Sequence, residues 1–284
     1  MKRIALINDL SGFGKCSLTA AIPVISAMGI QACPLPTAIL SAQTGFDSYF
    51  YDDYTDRMNQ ITDEWVKLDV SFDGIYSGYL GSPLQIEHVL YVLEHFKKDN
   101  TIFLADPIMG DDGCEIKTFS NELLATMKEL TKRADVITPN LTELCMLAGV
   151  SFSNLTSKSD NKDYLEYVKD VAMQVKSNSL TNQTVIVTGI IRKNNELAKI
   201  GNLIVDDKES SYYESNYTGK SFSGTGDLFA STVAGSILNG NTPAKATLTA
   251  MEFLQPAIEE ATRENIEGVH GVYFEKYLPY LMGK

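Results

Sequence analysis

The chain of 284 residues has little that suits disulfide, zinc-thiolate or histidine chemistry. Its four cysteines, Cys16, Cys33, Cys114 and Cys145, are widely spaced and form neither a CxxC pair nor a Cys/His metal pattern; reduced thiols fit that spacing. Three histidines, His88, His95 and His270, offer few candidates for histidine catalysis. His88 and His95 fall in a segment with amphipathic helical spacing, where surface roles are the ordinary use. No stretch supplies the roughly 18 or more apolar residues of a membrane helix. The opening MKRIALINDL runs from two basic residues into four apolar ones before Asn8, too few for a signal-peptide core. A soluble, cytoplasmic protein with no membrane partner is expected. Positive charge is scarce too: 24 Lys and Arg face 36 Asp and Glu, a net charge of -12. That balance disfavours a nucleic-acid partner, although backbone N–H groups can still gather a small anion.

What is present is an alternation of short apolar runs with helical stretches. RIALIN at 3–8 suits a buried strand, and the glycines of DLSGFGKCS then turn the chain toward a helix over 17–28. QACPLPTAIL, FDGIYSGYLGS, TIFLAD, ADVITP and TVIVTG read as further strands, with PLQIEHVLYVLEHFKK, 119–131, NLTELCMLAG and YLEYVKDVAMQVKS as helices between them. Asn140 followed by Glu143 has the spacing of a capping box. The polar stretch SFSNLTSKSDNKD connects or caps helices. LAKIGNLIVDD and SYYESNYTG resemble antiparallel strands, and helices are expected over 226–239 and 242–262. This order implies an α/β fold with a mostly parallel central sheet covered on both faces, its ligands beyond the C-terminal strand ends. No repeat or long linker divides the chain, so residues 1–284 are expected to form a single domain.

The polar residues at those strand ends carry the candidate chemistry. GFGKCS at 12–17 completes neither GxxxxGK[ST] nor GxGxxG, so it is not a Walker or dinucleotide loop. It does leave Asp9 and Ser11 at a strand end, where Asp9 either binds a polar or cationic part of a substrate or satisfies turn N–H groups. In SGTGD, Gly224 and Gly226 allow close backbone approach, and successive N–H groups at a helix start form an oxyanion nest. Asp227 then either caps the helix or takes a proton from an alcohol attacking a phosphoryl group. Asp106, Asp111, Asp112, Asn140, Glu143 and Thr188 end or follow other strands. Carboxylates gathered in this way could hold a hydrated Mg²⁺ beside phosphates, with helix capping as the competing use of Asn140 and Glu143.

NDLSGFGK, TAILSAQTGF at 37–46, YSGYLGS at 76–82, DPIMGDDG at 106–113, TPNLTE at 138–143 and SGTGDLFAS at 223–231 stand in the order and spacing of the pyridoxal kinase family, which the chain resembles over residues 3–245. The resemblance implies the ribokinase-like three-layer α/β/α fold and a homodimer. It also implies ATP-dependent phosphorylation of the 5'-hydroxymethyl group of a vitamin B6 vitamer: pyridoxal, pyridoxine or pyridoxamine. Asp227 resembles the catalytic base, and Gly224, Thr225 and Gly226 the anion hole. Asp111, Thr138, Glu143 and Thr188, with Gly224 to Gly226, correspond to the ATP side. Asn140 and Glu143 match an Asn-x-x-Glu arrangement associated with Mg²⁺, through water, and a monovalent cation is also compatible. Asp9, Thr44, Gly45 and Tyr79 correspond to the vitamin pocket. The chain departs from the family at Asp9, where many relatives carry serine, at Ala42 and Gln43, which replace Asn and His, and at Thr188, which replaces a lysine of some relatives. Because aspartate only accepts hydrogen bonds when ionised, Asp9 points to a preference for pyridoxamine. Hydroxymethylpyrimidine kinase, a small-sugar kinase and a non-catalytic ligand sensor are the alternatives.

Overall fold

The computed structural model describes residues 1–116, 118–157, 159, 163–194, 197–208 and 210–283; part of the polar connector at 151–163 therefore lies outside the described residues. The chain divides into two compact units, Met1–Leu80 with Leu84–Phe103 and Lys220–Lys284, and Gly81–Pro83 with Leu104–Gly219. The architecture is α/β/α with a largely parallel sheet, as the alternating pattern implies.

The first unit is built on β1 (Arg3–Phe13), β2 (Gln31–Ala42), β3 (Tyr51–Asp53) and β4 (Gly74–Ser77), in the order β4-β1-β2-β3. β1 pairs in parallel with β2 and β4, and the short β3 runs antiparallel to β2. Ile4, Ala5, Leu6 and Ile7 are fully or almost fully buried, as a strand covered on both faces requires. β1 does not stop at residue 8, where the sequence places a turn. It continues to Phe13 because β2 keeps pairing with it as far as Ala42, whereas β4 leaves it after Ile7. The register shifts in this extension: Asn8 faces Pro36 but Leu10 faces Ile39, so Thr37 and Ala38 both stand against Asp9. Asp9 thus lies within a strand, beyond the end of β4, rather than at the end of β1.

Pro34 and Pro36 sit inside β2, a position prolines normally avoid. Gln31 donates its N–H to the carbonyl of Lys2, the residue before β1, so by strand alternation the missing N–H groups of Pro34 and Pro36 face the other edge. β3 covers that edge only from Ala38 to Leu40, and no ladder bond is lost. Around these strands pack α1 (Ser17–Ala27), α2 (Thr55–Lys67), α3 (Pro83–Phe96, Pro83 itself belonging to the other unit), α4 (Thr225–Leu238) and α5 (Pro243–Arg263). Most of α4 is buried, which explains its near lack of charge. His88 and His95 lie on α3, half-buried and exposed.

The second unit carries β5 (Ile102–Ala105, whose first two residues belong to the first unit), β6 (Val136–Ile137), β7 (Thr184–Asn194), β8 (Leu197–Val205) and β9 (Ser210–Asn216), in the order β9-β8-β7-β6-β5. The pairings of β5, β6 and β7 are parallel, and β8 and β9, read as antiparallel strands from the sequence, form an antiparallel end with β7. α6 (Leu141–Ala148) follows β6. Among the described residues, no helix is long and apolar enough to cross a membrane. All four cysteines are free, with Cys16 and Cys145 buried.

Candidate active site

In the first unit, Asp227 occupies the first turn of α4 and is 8% exposed. It does not cap its own helix. One carboxylate oxygen accepts from the Asn8 side-chain amide at 3.0 Å, and the group also takes the backbone N–H of Ser17, the first residue of α1. Burial pushes the carboxyl up to about 6; the Ser17 N–H opposes this, the charge of Asp9 adds to it, and the Asn8 amide opposes it. A base with its pKa just below neutrality is ionised at pH 7 yet retains affinity for a proton.

Asp9 is likewise buried. Its two oxygens accept from Ser17 Oγ at 2.6 Å and Ser11 Oγ at 2.8 Å. Burial raises its pKa and these hydroxyls moderate the rise. Among the described residues no lysine or arginine pairs with Asp9 or Asp227. Two buried carboxyls without a cation leave local negative charge uncompensated, the environment that a positively charged ligand group relieves. The same charges, with burial the larger cause, push the nearby Cys16 thiol up to about 12, so that thiol is inert.

The turn before α4 is glycine-dependent at one position. Gly224 adopts φ 79°, and a Cβ there would lie 1.8 Å from the Lys15 carbonyl oxygen. With no side chain at the cap, the leading N–H groups of α4 are left for an anion. Thr225 fixes the turn through Oγ1 to the Phe222 carbonyl, 2.9 Å. Space around Gly226 is open. Tyr79 follows β4 and gives its backbone N–H to Asn8 Oδ1 at 2.9 Å. Thr44 and Gly45 are exposed. Gln43, in place of the family's histidine, is buried: its amide donates to the Val269 carbonyl and its oxygen accepts from Gly45 N–H. Gln43 therefore anchors this loop, and no hydrogen bond among the described residues joins Thr44 or Gly45 to Asp9 or Asp227.

In the second unit, Asn140 caps α6, and the reciprocal box with Glu143 forms as the spacing predicts. Glu143 N–H reaches Asn140 Oδ1 at 3.0 Å, while Glu143 accepts the N–H groups of Asn140 at 2.9 Å and Met109 at 3.2 Å. Asn140 Nδ2 donates to the Gly110 carbonyl. Thr138 Oγ1 donates to Asp106 at 2.8 Å, and Thr188 forms an isolated parallel bridge with Asn140. Burial holds Glu143 well above the usual carboxylate range, reinforced by Asp106 and opposed by the two backbone N–H groups. Asp111 is exposed and accepts the Asp112 N–H. Among the described residues no group of three or more His, Cys, Asp or Glu is arranged to hold a metal directly. Asp106 and Glu143 are the buried carboxyl oxygen donors here, and oxygen donors of this kind would fit a hydrated Mg²⁺ through water, since this ion keeps much of its water shell.

Sequence reasoning missed Asn8, Ser17 and the close approach of Gly78 to the Asn8 side chain. Asn8 closes an apolar run, and its polarity inside a buried strand was the available signal.

This fold defines a ribokinase-like protein. The profile of the phosphomethylpyrimidine kinase family matches residues 14–272, and the chain belongs to that family. A Bacteroides thetaiotaomicron protein, described as a phosphomethylpyrimidine kinase and crystallised with pyridoxal, is 36% identical, with TM-score 0.88 over 99% of this chain and 95% of that one. The pyridoxal kinase PdxY of Aliivibrio fischeri is 29% identical over 55% of this chain and 56% of its own length. The chain thus spans about half the length of that curated relative. The pyridoxal kinase of Lactobacillus plantarum, 24% identical, shares the fold with TM-score 0.87 over 99% of this chain and 97% of that one.

Proposed function

We propose that this protein phosphorylates the 5'-hydroxymethyl group of a vitamin B6 vitamer with ATP, working as a single kinase domain over residues 1–284 and as a homodimer. The observation that carries this reading is the buried Asp227 carboxylate, held by Asn8 and Ser17 at the uncapped start of α4. Asp227 takes the hydroxyl proton as that oxygen attacks the γ-phosphoryl, and the N–H groups at Gly224, Thr225 and Gly226 bind the phosphoryl oxygens. Asp111, Thr138, Glu143 and Thr188 serve the nucleotide. Asn140 and Glu143 hold Mg²⁺ through water, which when bound neutralises phosphate charge. Tyr79, Thr44, Gly45 and Asp9 serve the vitamer.

Product formation with MgATP and a panel of pyridoxal, pyridoxine, pyridoxamine, hydroxymethylpyrimidine and ribose tests this reading. A B6 vitamer is expected to be the preferred acceptor. The family and the Bacteroides relative are both described by a pyrimidine substrate, so hydroxymethylpyrimidine is the second reading, and its preferential phosphorylation overturns the first. Transfer to ribose points to a sugar kinase, and vitamer binding without ADP release to a sensor.

Two variants refine it. The uncompensated charge of Asp9 supports a preference for the amine-bearing pyridoxamine; Asp9→Ser is expected to reduce the ratio of pyridoxamine to pyridoxal turnover by roughly 10-fold, the scale of one charged hydrogen bond. An unchanged ratio removes Asp9 from specificity. Glu143→Gln, which keeps one acceptor for the Asn140 N–H and loses the one for Met109 N–H, is expected to raise the Mg²⁺ concentration for half-maximal rate by roughly 10-fold. The same Mg²⁺ dependence as the native protein counts against the metal assignment.

A further inference from the structure

Asn8 is completely buried, and both ends of its side-chain amide are hydrogen-bonded. Its amide nitrogen donates to Asp227 Oδ1 at 3.0 Å. Its oxygen accepts two backbone N–H groups, from Asp9 and from Tyr79, each at 2.9 Å. Only one orientation of the amide satisfies all three, because a carboxylate cannot donate and an N–H cannot accept. The chain also keeps room for it: a Cβ at Gly78 would lie 2.3 Å from Asn8 Nδ2 and 2.6 Å from Cγ.

We infer that Asn8 is the positioning residue of this site, fixing the orientation of the Asp227 carboxylate and tying it to the backbone at Tyr79. This deepens the kinase reading and rests on it for the reaction, though the coupling itself is readable without turnover. With Oδ1 engaged by Asn8, the rotation of the carboxylate is restricted and its other oxygen is presented in a defined direction. A shift of the segment at Tyr79 is felt at the base through one rigid amide. Asn8 touches neither hydroxyl nor phosphoryl group in this account; it acts through Asp227.

Asn8→Asp keeps an acceptor for the Asp9 and Tyr79 N–H groups while it replaces the amide donor to Asp227 with a second carboxyl. The titratable groups that interact with Asp227 are Asp9 and Cys16, and the new carboxyl joins them. The Asp227 titration is followed by ¹³C NMR of the carboxyl in full-length native protein and variant, with turnover of whichever alcohol the native protein phosphorylates measured alongside. The NMR midpoint is expected to rise by at least about one unit, since a donor is lost and a like charge gained, and kcat at pH 7 to fall roughly 10-fold or more by the loss of protonation state and alignment, with the KM for ATP little changed. Gly78→Ala, which displaces Asn8 without altering its chemistry, is expected to lower kcat in the same way. A folded Asn8→Asp protein with an unmoved midpoint and native kcat overturns the inference. So does a loss of kcat that merely follows a loss of folded protein, with the midpoint unmoved. If the native protein phosphorylates no alcohol, the kinase reading fails while the NMR titration still decides the coupling.

Discussion

Asp227→Asn is expected to lower turnover by roughly 10²–10⁴-fold and, in the same protein, to raise thermal stability. The loss follows from removing the proposed base while keeping the shape of the side chain. The gain follows from the cause of its raised pKa. Burial lifts Asp227 from 3.8 to about 6, so between those values the folded chain holds a proton that the unfolded chain has released. Stability therefore falls as pH rises through that window, and the full penalty is present above it. A displacement of about two units corresponds to an order of 3 kcal/mol. Asparagine carries no charge and escapes it. Thermal melts at pH 4 and pH 8 check this: the variant's advantage should be small at the lower pH and amount to several degrees at the higher one. Native kcat should rise with pH around 6 and then level off. A variant that is both inactive and less stable at pH 8 would show Asp227 to be a structural member of the α1 start.

Gly224→Ala is the second change with a large expected effect. The residue needs φ 79°, which costs a side-chain-bearing residue about 1–2 kcal/mol, and the added methyl would meet a backbone carbonyl, not a yielding side chain. The combined loss is expected to reach roughly 3–5 kcal/mol, in the range reserved for named steric faults. The proposed phosphoryl transfer should vanish with it, because the turn carries the N–H groups assigned to the proposed anion site. Gly226→Ala supplies the contrast. Open space surrounds that position and it is helical, so the fold should be unharmed or gain up to about 1 kcal/mol, while a methyl close to the proposed phosphoryl position lowers kcat. Equal melting temperatures for native protein and Gly224→Ala would refute the steric account; native kcat in Gly226→Ala would remove that residue from the anion site.

Much of this was legible in the residues because local rules were decisive. Asn140 and Glu143 stand at capping-box spacing, and the box formed; the β-branched run before Thr188 became a strand; Asp227 fell on the first turn of a helix whose apolar length marked it as buried. The parts that were not legible depend on partners far away in sequence. That β1 extends to Phe13 is decided by β2, which continues where β4 stops. Asp9 read as a strand-end carboxylate for a substrate group or for turn N–H groups, yet Ser17, eight residues on, donates its hydroxyl to it because α1 starts there. Gln43 stood in a family recognition position and turned out to be an anchor for Val269, a contact that no short motif encodes. Asn8 was hidden for the same reason: two of its three partners, Tyr79 and Asp227, come from distant segments.

The two prolines of β2 have a meaning beyond their tolerance within the strand. An open edge with free N–H groups invites pairing with another chain, and the stretch of β2 that β3 leaves uncovered is such an edge. With Pro34 and Pro36 facing it, the edge cannot donate at either position, so a foreign strand finds an interrupted template. The residues that leave the internal ladder intact thereby guard the molecule against aggregation while a newly made chain is still finding its fold.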